Sequence, residues 1–230
     1  RKGLFSDPGV LWQPVLDGTE LLAQPLDAFA GGQPSVPVIL GTNRDEGNLF
    51  TFLWPQAFGH EITNDETTRA LQIVWPAETV AKIDAYYPKA ALAAPERASL
   101  IITDGLFVCP TRKVARVLSS HGTPTYTYRF THDFNMVLLP GVRAAHSVEL
   151  PFVFGTTLGG KNIGDDERPL SEAIMGYWSR FGATGDPNGA GAVPWPRYDA
   201  AGDKHLDLDT AIVEGSGNRK EACDFWDTVF

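Results

Sequence analysis

The sequence is poor in cysteine and in positive charge, and it has no long apolar run. Its 230 residues include two cysteines, and 19 basic side chains stand against 28 acidic ones, giving a formal charge of −9. This surplus of negative charge disfavours nucleic acid and anionic membranes as partners, because both are bound by clustered positive charge. No apolar run approaches the ~20 residues that span a bilayer, so we expect no membrane span.

Several short signals are also absent. No Asn-x-Ser/Thr sequence occurs, so we do not expect N-glycosylation in this part of the protein. The histidines and cysteines have no metal-ligand spacing, and we expect neither a metal nor an organic cofactor. The first residues have a basic start without the apolar stretch of a signal peptide and without an initiator Met. This beginning is consistent with a fragment of a longer protein.

Two segments have the pattern of strands. Residues 36 to 40 form a short apolar run, bounded by turn residues, that suits a strand buried on both faces of a parallel sheet. Residues 124 to 130 alternate aromatic with polar side chains, which predicts a strand with two unlike faces. The first 35 residues are interrupted by prolines, and we expect them to be irregular and extended.

Helical patterns occupy much of the remaining chain. Residues 65 to 121 are predicted to be helical, with Asn64 capping a first helix, a second over residues 96 to 108 and Pro110 in the first turn of a third. Residues 171 to 182 form an amphipathic pattern that Gly185 closes. Asn218 and Glu221 resemble a capping box before a terminal helix. Strands separated by long helical stretches favour an α/β fold, and two strands suggest that the sheet is completed by residues outside this chain.

An acid and a base stand in segments where a catalytic relay could be built. The pair Asp45 and Glu46 follows the first strand, and α/β enzymes place their sites at the carboxyl ends of such strands. One of these acids could orient His146 through its Nδ1–H. The alternative is a solvated acidic turn and a structural histidine. Glu149, three residues after His146, is either a helix cap or a second buried acid. No Gly-x-Ser-x-Gly occurs, so a serine nucleophile would lie outside these residues.

Four ordered motifs resemble the type-B carboxylesterase/cholinesterase family. They are Val-Pro-Val-Ile-Leu-Gly-Thr-Asn-Arg-Asp-Glu-Gly at residues 36–47, His-Ser-Val-Glu-Leu-Pro-Phe-Val-Phe-Gly at 146–155, Tyr-Trp-Ser-Arg-Phe-Gly-Ala-Thr-Gly-Asp-Pro-Asn at 177–188, and Val-Pro-Trp-Pro-Arg-Tyr at 193–198. Residues 5–18 resemble the family's entry to this region. The resemblance extends over essentially the whole chain.

The resemblance implies a fold and the roles of two residues. Residues 1–230 would be the C-terminal part of a single α/β-hydrolase domain, a mostly parallel sheet flanked by helices, with a helical insertion around residues 60–121. Glu46, rather than Asp45, maps onto the triad acid and His146 onto the base. We therefore expect a hydrogen bond between a Glu46 carboxylate oxygen and His146 Nδ1, with Nε2 facing an open cleft. The substrate would border Leu49, Phe50, Phe134, Met136 and Leu138, although ordinary core packing explains each of these equally well.

The resemblance also implies a disulfide between Cys109 and Cys223. Such a bond indicates an oxidising compartment, and hence a secreted or periplasmic protein. The whole protein would hydrolyse small carboxylic esters with a serine on the absent N-terminal portion, its partner here, and this chain alone would be inactive. A non-catalytic adhesion or scaffold relative of the family is the alternative. Both Glu46 and His146 are retained, which favours an enzyme.

Overall fold

The computed structural model describes residues 15–32 and 36–230. Within them, four strands form one sheet in the order β1-β2-β3-β4, where β1 is Val38–Asn43, β2 Thr125–Phe130, β3 Lys204–Leu208 and β4 Val213–Ser216. The first three strands are parallel, and β4 returns antiparallel to β3. The sheet is therefore mostly parallel, as the sequence predicts, and long helical connections join its parallel strands.

Nine α-helices and one π-helical segment are found in these residues. They are α1 (Pro25–Ala30), α2 (Gly47–Phe58), α3 (Asn64–Val74), α4 (Ala77–Tyr86), α5 (Ala94–Ile102), the π-helical segment Thr103–Val108, α6 (Cys109–Ser120), α7 (Leu150–Phe154), α8 (Arg168–Thr184) and α9 (Lys220–Trp226). The helices from α2 to α6 all lie between β1 and β2 along the chain.

Local chemistry explains where several helices begin and end. Thr63 caps α3 by accepting a hydrogen bond from the backbone N–H of Glu66, whose carboxylate accepts one from Thr63 in return. Pro110 stands in the first turn of α6, where its absent N–H costs nothing. Gly185 ends α8 with a left-handed φ of 76°, a conformation that glycine adopts without strain.

Three expectations about individual elements are wrong. Asn64 does not cap α3, because Thr63 occupies the N-cap position and Asn64 is the first residue of the helix. The proline-rich beginning of the chain is not wholly irregular, because Pro25 opens the short helix α1. Asn218 does not cap α9, since Arg219 occupies the N-cap position and no side chain makes a capping hydrogen bond. Residues 1–14 and 33–35, which make up about half of the predicted irregular segment, lie outside the described residues.

The largest apolar cluster packs against the sheet and surrounds the segment that carries His146. It includes Phe130 of β2, Leu206 of β3, Ile174 of α8 and Phe152 of α7, all fully buried. The loop between β2 and α7 adds Ala144, Ala145 and Val148 to the same cluster. The loop is therefore fixed by burial on both sides of His146.

A second apolar cluster lies among the helices between β1 and β2 and is closed by α9. It contains the disulfide between Cys109 and Cys223, with an S–S distance of 2.00 Å. Beside it, the buried Asp104 accepts hydrogen bonds from Arg219 and from the hydroxyl of Tyr87. Burial and the charge of Asp104 raise the pKa of Tyr87, so its hydroxyl stays protonated as a donor. The disulfide predicted from the sequence is confirmed, and it joins α6 to α9.

One edge of β1 has no strand partner among the described residues. Val38 donates its N–H to the carbonyl of Pro124, and Arg44 donates to Phe130. Since backbone groups alternate between the two sides of a strand in a parallel ladder, the N–H groups of Ile39 and Gly41 face the opposite edge. That edge is available to a further strand.

Candidate active site

The site begins where β1 ends and turns directly into α2. Glu46 occupies the N-cap position of α2, and its side chain is buried. Gly47 follows it and donates its N–H to Thr103 Oγ1. A Cβ on Gly47 would lie 2.1 Å from the carbonyl oxygen of Ser99. Only glycine permits this close approach of α2 to α5, which holds the Glu46 backbone against the helical layer.

Glu46 contacts His146 through one carboxylate oxygen. His146 Nδ1 lies 2.8 Å from Glu46 Oε2, although the two residues are 100 positions apart. The other oxygen, Oε1, accepts a hydrogen bond of 2.7 Å from the backbone N–H of Asn43. Both oxygens are therefore occupied, and the carboxylate is held in one orientation. The contact expected from the sequence is present, with Nδ1 as the ring atom involved.

Asp45 points away from His146. Its carboxylate accepts a hydrogen bond from Arg44 Nε at 2.8 Å and lies 3.7 Å from Arg143 Nε. Its backbone N–H donates to the carbonyl of Ala144. Asp45 thus holds the loop that precedes His146, and Glu46 is the acid that reaches the ring.

The electrostatics around His146 favour its protonated form. The hydrogen bond to Glu46 raises the pKa of the imidazole above its ordinary value, and the negative charges of Glu46 and Glu149 add to this effect. Burial acts in the opposite direction. A pKa raised in this way lets the ring accept a proton more readily and hold the charge that results.

The second ring nitrogen of His146 is free. No hydrogen bond to Nε2 is formed by the residues that the structure describes, and the side chain is 40% exposed. The ring packs against Phe107, with centroids 4.8 Å apart, and against Phe50 at 5.6 Å. The aromatic contacts fix the ring plane, so Nε2 is presented to the outside in a set direction.

Glu149 is a partly buried acid near the contact between Glu46 and His146. It stands at the N-cap position of α7 but makes no capping hydrogen bond with its side chain. Burial raises the pKa of Glu149, and the nearby charge of Glu46 contributes in the same direction. Burial with both acids nearby also raises the pKa of Tyr128. Of the two roles left open by the sequence, the side chain does not cap the helix, and the acid is partly rather than fully buried.

An apolar cavity of about 320 Å³ opens beside Phe50. Phe50 joins it to the site, because the same ring that contacts His146 forms part of the cavity wall. Trp54, one turn further along α2, also lines the cavity, and its buried Nε1 has no partner among the described residues. The remaining wall comes from α3 and the residues that flank it, and from α5, the π-helical segment and α9: Ile62, Leu71, Trp75, Ile101, Leu106 and Trp226 among others.

The residues expected to border a substrate are placed in different surroundings. Phe50 lines the cavity. Leu49 packs against the largest apolar cluster, where Phe134 and Met136 are almost fully buried, and Leu138 is 69% exposed. None of these four lines the cavity beside Phe50. Their contact with a substrate stays a prediction.

Two residues of the site escape the analysis of the sequence. Phe107 contacts His146, but its only sequence signal is its position two residues before Cys109. Asn43 contacts Glu46, and a polar residue at the carboxyl end of a buried strand is the pattern that could have identified it. No group of three metal-binding side chains is found within residues 15–32 and 36–230, and no helix there is long and apolar enough to cross a bilayer.

Comparison with known proteins identifies relatives of this chain. A model of the carboxylesterase family matches residues 3–226. The chain is 34% identical over 210 residues to a para-nitrobenzyl esterase of Bacillus subtilis (strain 168), and this match covers 89% of this chain and 40% of the relative. It is 32% identical over 213 residues to an acetylcholinesterase of Gallus gallus, covering 86% of this chain and 28% of the relative. The chain thus spans less than half the length of these relatives.

Solved structures agree with the sequence comparison. A PNB esterase superposes with a TM-score of 0.77 at 31% identity, covering 94% of this chain and 44% of the neighbour. A thermophilic PNB esterase gives the same TM-score at 29% identity, over 94% of this chain and 44% of its own length. These neighbours have the α/β-hydrolase fold, whose mostly parallel sheet and flanking helices are found here. From its family match, its relatives and its fold, the chain belongs to the carboxylesterase family.

Proposed function

We propose that this chain is part of a serine esterase and supplies the acid and the base of a Ser-His-Glu relay. The observation that carries the proposal is the contact between Glu46 Oε2 and His146 Nδ1, which leaves Nε2 free. A base oriented by a third group, with its other nitrogen directed at a nucleophile, is the arrangement that activates a serine. The nucleophile lies on a part of the protein outside these 230 residues, because they contain no Gly-x-Ser-x-Gly.

In this mechanism His146 moves the proton and Glu46 holds the ring. The serine hydroxyl attacks the ester carbonyl, and His146 Nε2 accepts the hydroxyl proton. The same proton then passes to the leaving alcohol, so an acyl-enzyme remains. Water repeats the sequence and releases the acid. Glu46 keeps the proton of the ring on Nδ1 and stabilises the imidazolium that forms between the steps. No step requires a metal or an organic cofactor.

The partner that completes the site is the preceding part of the same protein. The unpaired edge of β1 faces away from β2, and a parallel strand could be added there. Exposed apolar side chains, Leu150 and Phe154 among them, lie close to the sheet on α7. The relatives are more than twice as long as this chain. Together these observations support a single domain built from both parts, with the helices between β1 and β2 as its insertion.

The substrate is a small ester with an apolar group. The cavity beside Phe50 has an apolar wall and adjoins the ring of His146. A volume of about 320 Å³ is at the lower end for small-molecule pockets. The name of the Bacillus relative, para-nitrobenzyl esterase, indicates an aromatic ester.

The disulfide supports a secreted or periplasmic protein.

Activity measurements on the longer protein test this proposal. Hydrolysis of a nitrobenzyl ester should be blocked by an organophosphate, which traps an activated serine. His146→Ala should lower kcat by several orders of magnitude, and Glu46→Gln should cost about 10⁴-fold if the ring takes the wrong tautomer. His132→Ala is the matched control, because His132 pairs with Asp209 and Glu167 away from His146.

Two results would contradict the proposal. Near-normal hydrolysis by His146→Ala would show that His146 is not the base. Serine-type turnover by the isolated 230 residues would show that the nucleophile lies within them. A longer protein without any esterase activity would favour an adhesion or scaffold role. The retained contact between Glu46 and His146 argues against that alternative.

A further inference from the structure

Asn43 makes hydrogen bonds to both halves of the site. It is the last residue of β1 and is 2% exposed. Its backbone N–H donates to Glu46 Oε1 at 2.7 Å. Its side-chain Nδ2 donates to the carbonyl oxygen of Ala145 at 2.6 Å and also to Glu149 Oε2.

These bonds connect two loops that are far apart along the chain. Glu46 lies on the loop after β1, whereas Ala145 immediately precedes His146 in the loop after β2. An amide has two N–H donors on one nitrogen, and the acceptors Ala145 and Glu149 stand on either side of His146 in sequence. Asn43 is therefore hydrogen-bonded to residues before and after the base through its side chain, and to the acid through its backbone N–H.

We propose that Asn43 is a positioning residue that sets the distance and angle between Glu46 and His146. The inference rests on the proposed relay and adds a residue to it. Asn43 touches neither the substrate nor the reacting atoms, and it acts through the placement of the two loops. A displacement of about 1 Å between catalytic groups can cost ~10²-fold in rate, so the loss of this residue is expected to affect turnover rather than binding.

The chemistry of the position requires a donor. Ala145 presents a buried carbonyl and Glu149 a partly buried carboxylate, so a side chain without an N–H would leave both acceptors without this donor. The charged and titratable groups around it are Glu46, Glu149, His146 and Tyr128. A carboxyl in place of the amide could keep a hydrogen bond to Glu149 only while one of the two acids holds a proton, and it could donate only while it is protonated itself.

Two substitutions in the longer protein test the inference. Asn43→Ala should lower kcat by about 10- to 100-fold with KM within threefold, because the relay is disturbed and the cavity is intact. In Asn43→Asp, the ratio of variant to wild-type kcat should be highest at low pH and fall as the shared proton is lost. A purely structural role would make that ratio independent of pH.

Asn48→Ala is the matched control. The side chain of Asn48 also binds the loop before His146, by donating to the carbonyl of Val142, and accepts from Ser99, and neither of these hydrogen bonds involves Glu46 or Ala145. It should lose stability and keep kcat within about twofold. Asn43→Ala with kcat within twofold of wild type, or a ratio for Asn43→Asp that does not change with pH, would overturn the inference. If Asn43→Ala does not fold, Asn43→Asp decides, because it preserves the size of the side chain.

A spectroscopic measurement separates this inference from the proposed function. The proton between His146 Nδ1 and Glu46 should give a low-field NMR signal in the longer protein. We expect the signal to be kept in Asn48→Ala and lost in Asn43→Ala. If the wild type has no esterase activity, the proposed function is contradicted. The NMR signal still tests whether Asn43 positions Glu46 and His146. A signal unchanged in Asn43→Ala would disprove that role.

Discussion

The proton affinity of His146 is the property of a single residue on which the proposed chemistry depends most. The ring must be neutral to accept a proton and must then hold the charge that results. Glu46 raises the pKa of His146 through a direct hydrogen bond, and burial only partly opposes it. The environment therefore favours the charged intermediate and makes the resting ring more easily protonated in mild acid.

A pH profile of the longer protein should show this effect. Because His146 acts as a base when neutral, and its folded pKa is raised, the acid limb of kcat/KM should lie above the ordinary imidazole value of about 6.5. Glu46→Gln removes the carboxylate, so the limb should move to lower pH while kcat falls. The profile is measured with a neutral ester, so that the substrate does not titrate. A limb at or below 6.5 in the wild type would contradict the expected direction.

Gly47 is the residue whose substitution tests the backbone of the site. Gly47→Ala places a Cβ 2.1 Å from the carbonyl oxygen of Ser99, and such overpacking costs about 1–3 kcal/mol. Gly182→Ala is the control, because nothing lies within 4 Å of its Cβ in α8 and alanine favours a helix interior by about 1 kcal/mol. Denaturant titration should show a lower free energy of unfolding for Gly47→Ala and a higher one for Gly182→Ala than for the wild type. Equal changes in the two variants would contradict the packing argument.

For single residues, the sequence predicts the acid and the base of the site better than it predicts the residues that orient them. Glu46 and His146 stand in motifs that resemble a family, so their contact was expected. Phe107 and Asn43 stand in no pattern that marks a site. Their role comes from contacts with His146 and Ala145, which lie 39 and 102 positions away along the chain. Periodicity reports nothing about such distant contacts. The structure alone brings them together.

Among the elements, the pair of helices α6 and α9 depends most on one covalent bond. Cys109 opens α6 and Cys223 lies within α9, 114 residues later. The helix α9 has seven residues, which is too short to be stable alone. It is held by the disulfide, by the ring of Trp226 in the second apolar cluster and by the bond from Arg219 to Asp104.

Removing the disulfide should loosen α9 first. Cys109→Ser with Cys223→Ser is expected to reduce the free energy of unfolding by about 2–5 kcal/mol, measured by denaturant titration of the longer protein. Peptide mapping without reduction should recover the two cysteines in one linked peptide pair. Two free thiols in material from an oxidising compartment would refute the bond and remove the argument for secretion.

Strands with clear patterns were predicted, and short polar strands were not. The predicted boundaries of the first two strands differ from β1 and β2 by three residues or fewer. The strand β3 was missed because its five residues include Lys204, His205 and Asp207. Asp207 pairs with Arg129 on β2 at 2.7 and 2.8 Å. Burial acts to raise the pKa of Asp207, but its contacts with His205 and Arg129 outweigh burial and lower that pKa to about 2. Partners on the neighbouring strand, invisible in a local pattern, explain the charge in β3.

For the molecule as a whole, the decisive feature is the unpaired edge of β1. The largest apolar cluster packs against the sheet, yet no described strand covers this edge. A free edge with outward N–H groups invites pairing with another chain. The fold class was predictable because helices and strands alternate along the sequence, whereas the described residues contain no strand that would lie beside this edge.

Hydrogen exchange should reveal how the edge is covered. In this chain alone, the amides of Ile39 and Gly41 should exchange quickly, because they face the free edge. Those of Leu40 and Thr42 point toward β2 and serve as internal controls with slow exchange. Adding the preceding part of the protein as a separate polypeptide should slow Ile39 and Gly41 specifically. Protection of all four amides before that addition would show that the edge is already paired.

The disulfide also divides the site topologically. Cys109 and Cys223 close a covalent ring that contains His146, while Glu46 lies outside it on the preceding segment. A protease cut within the ring, for instance in the exposed turn after Phe154, opens the ring without releasing either piece from the other. Such a cut would be visible only after reduction. A cut between Glu46 and Cys109 would leave no covalent link between acid and base, and noncovalent contacts alone, such as the hydrogen bonds of Asn43 and Glu46 and the pairing of β1 with β2, would then hold them together.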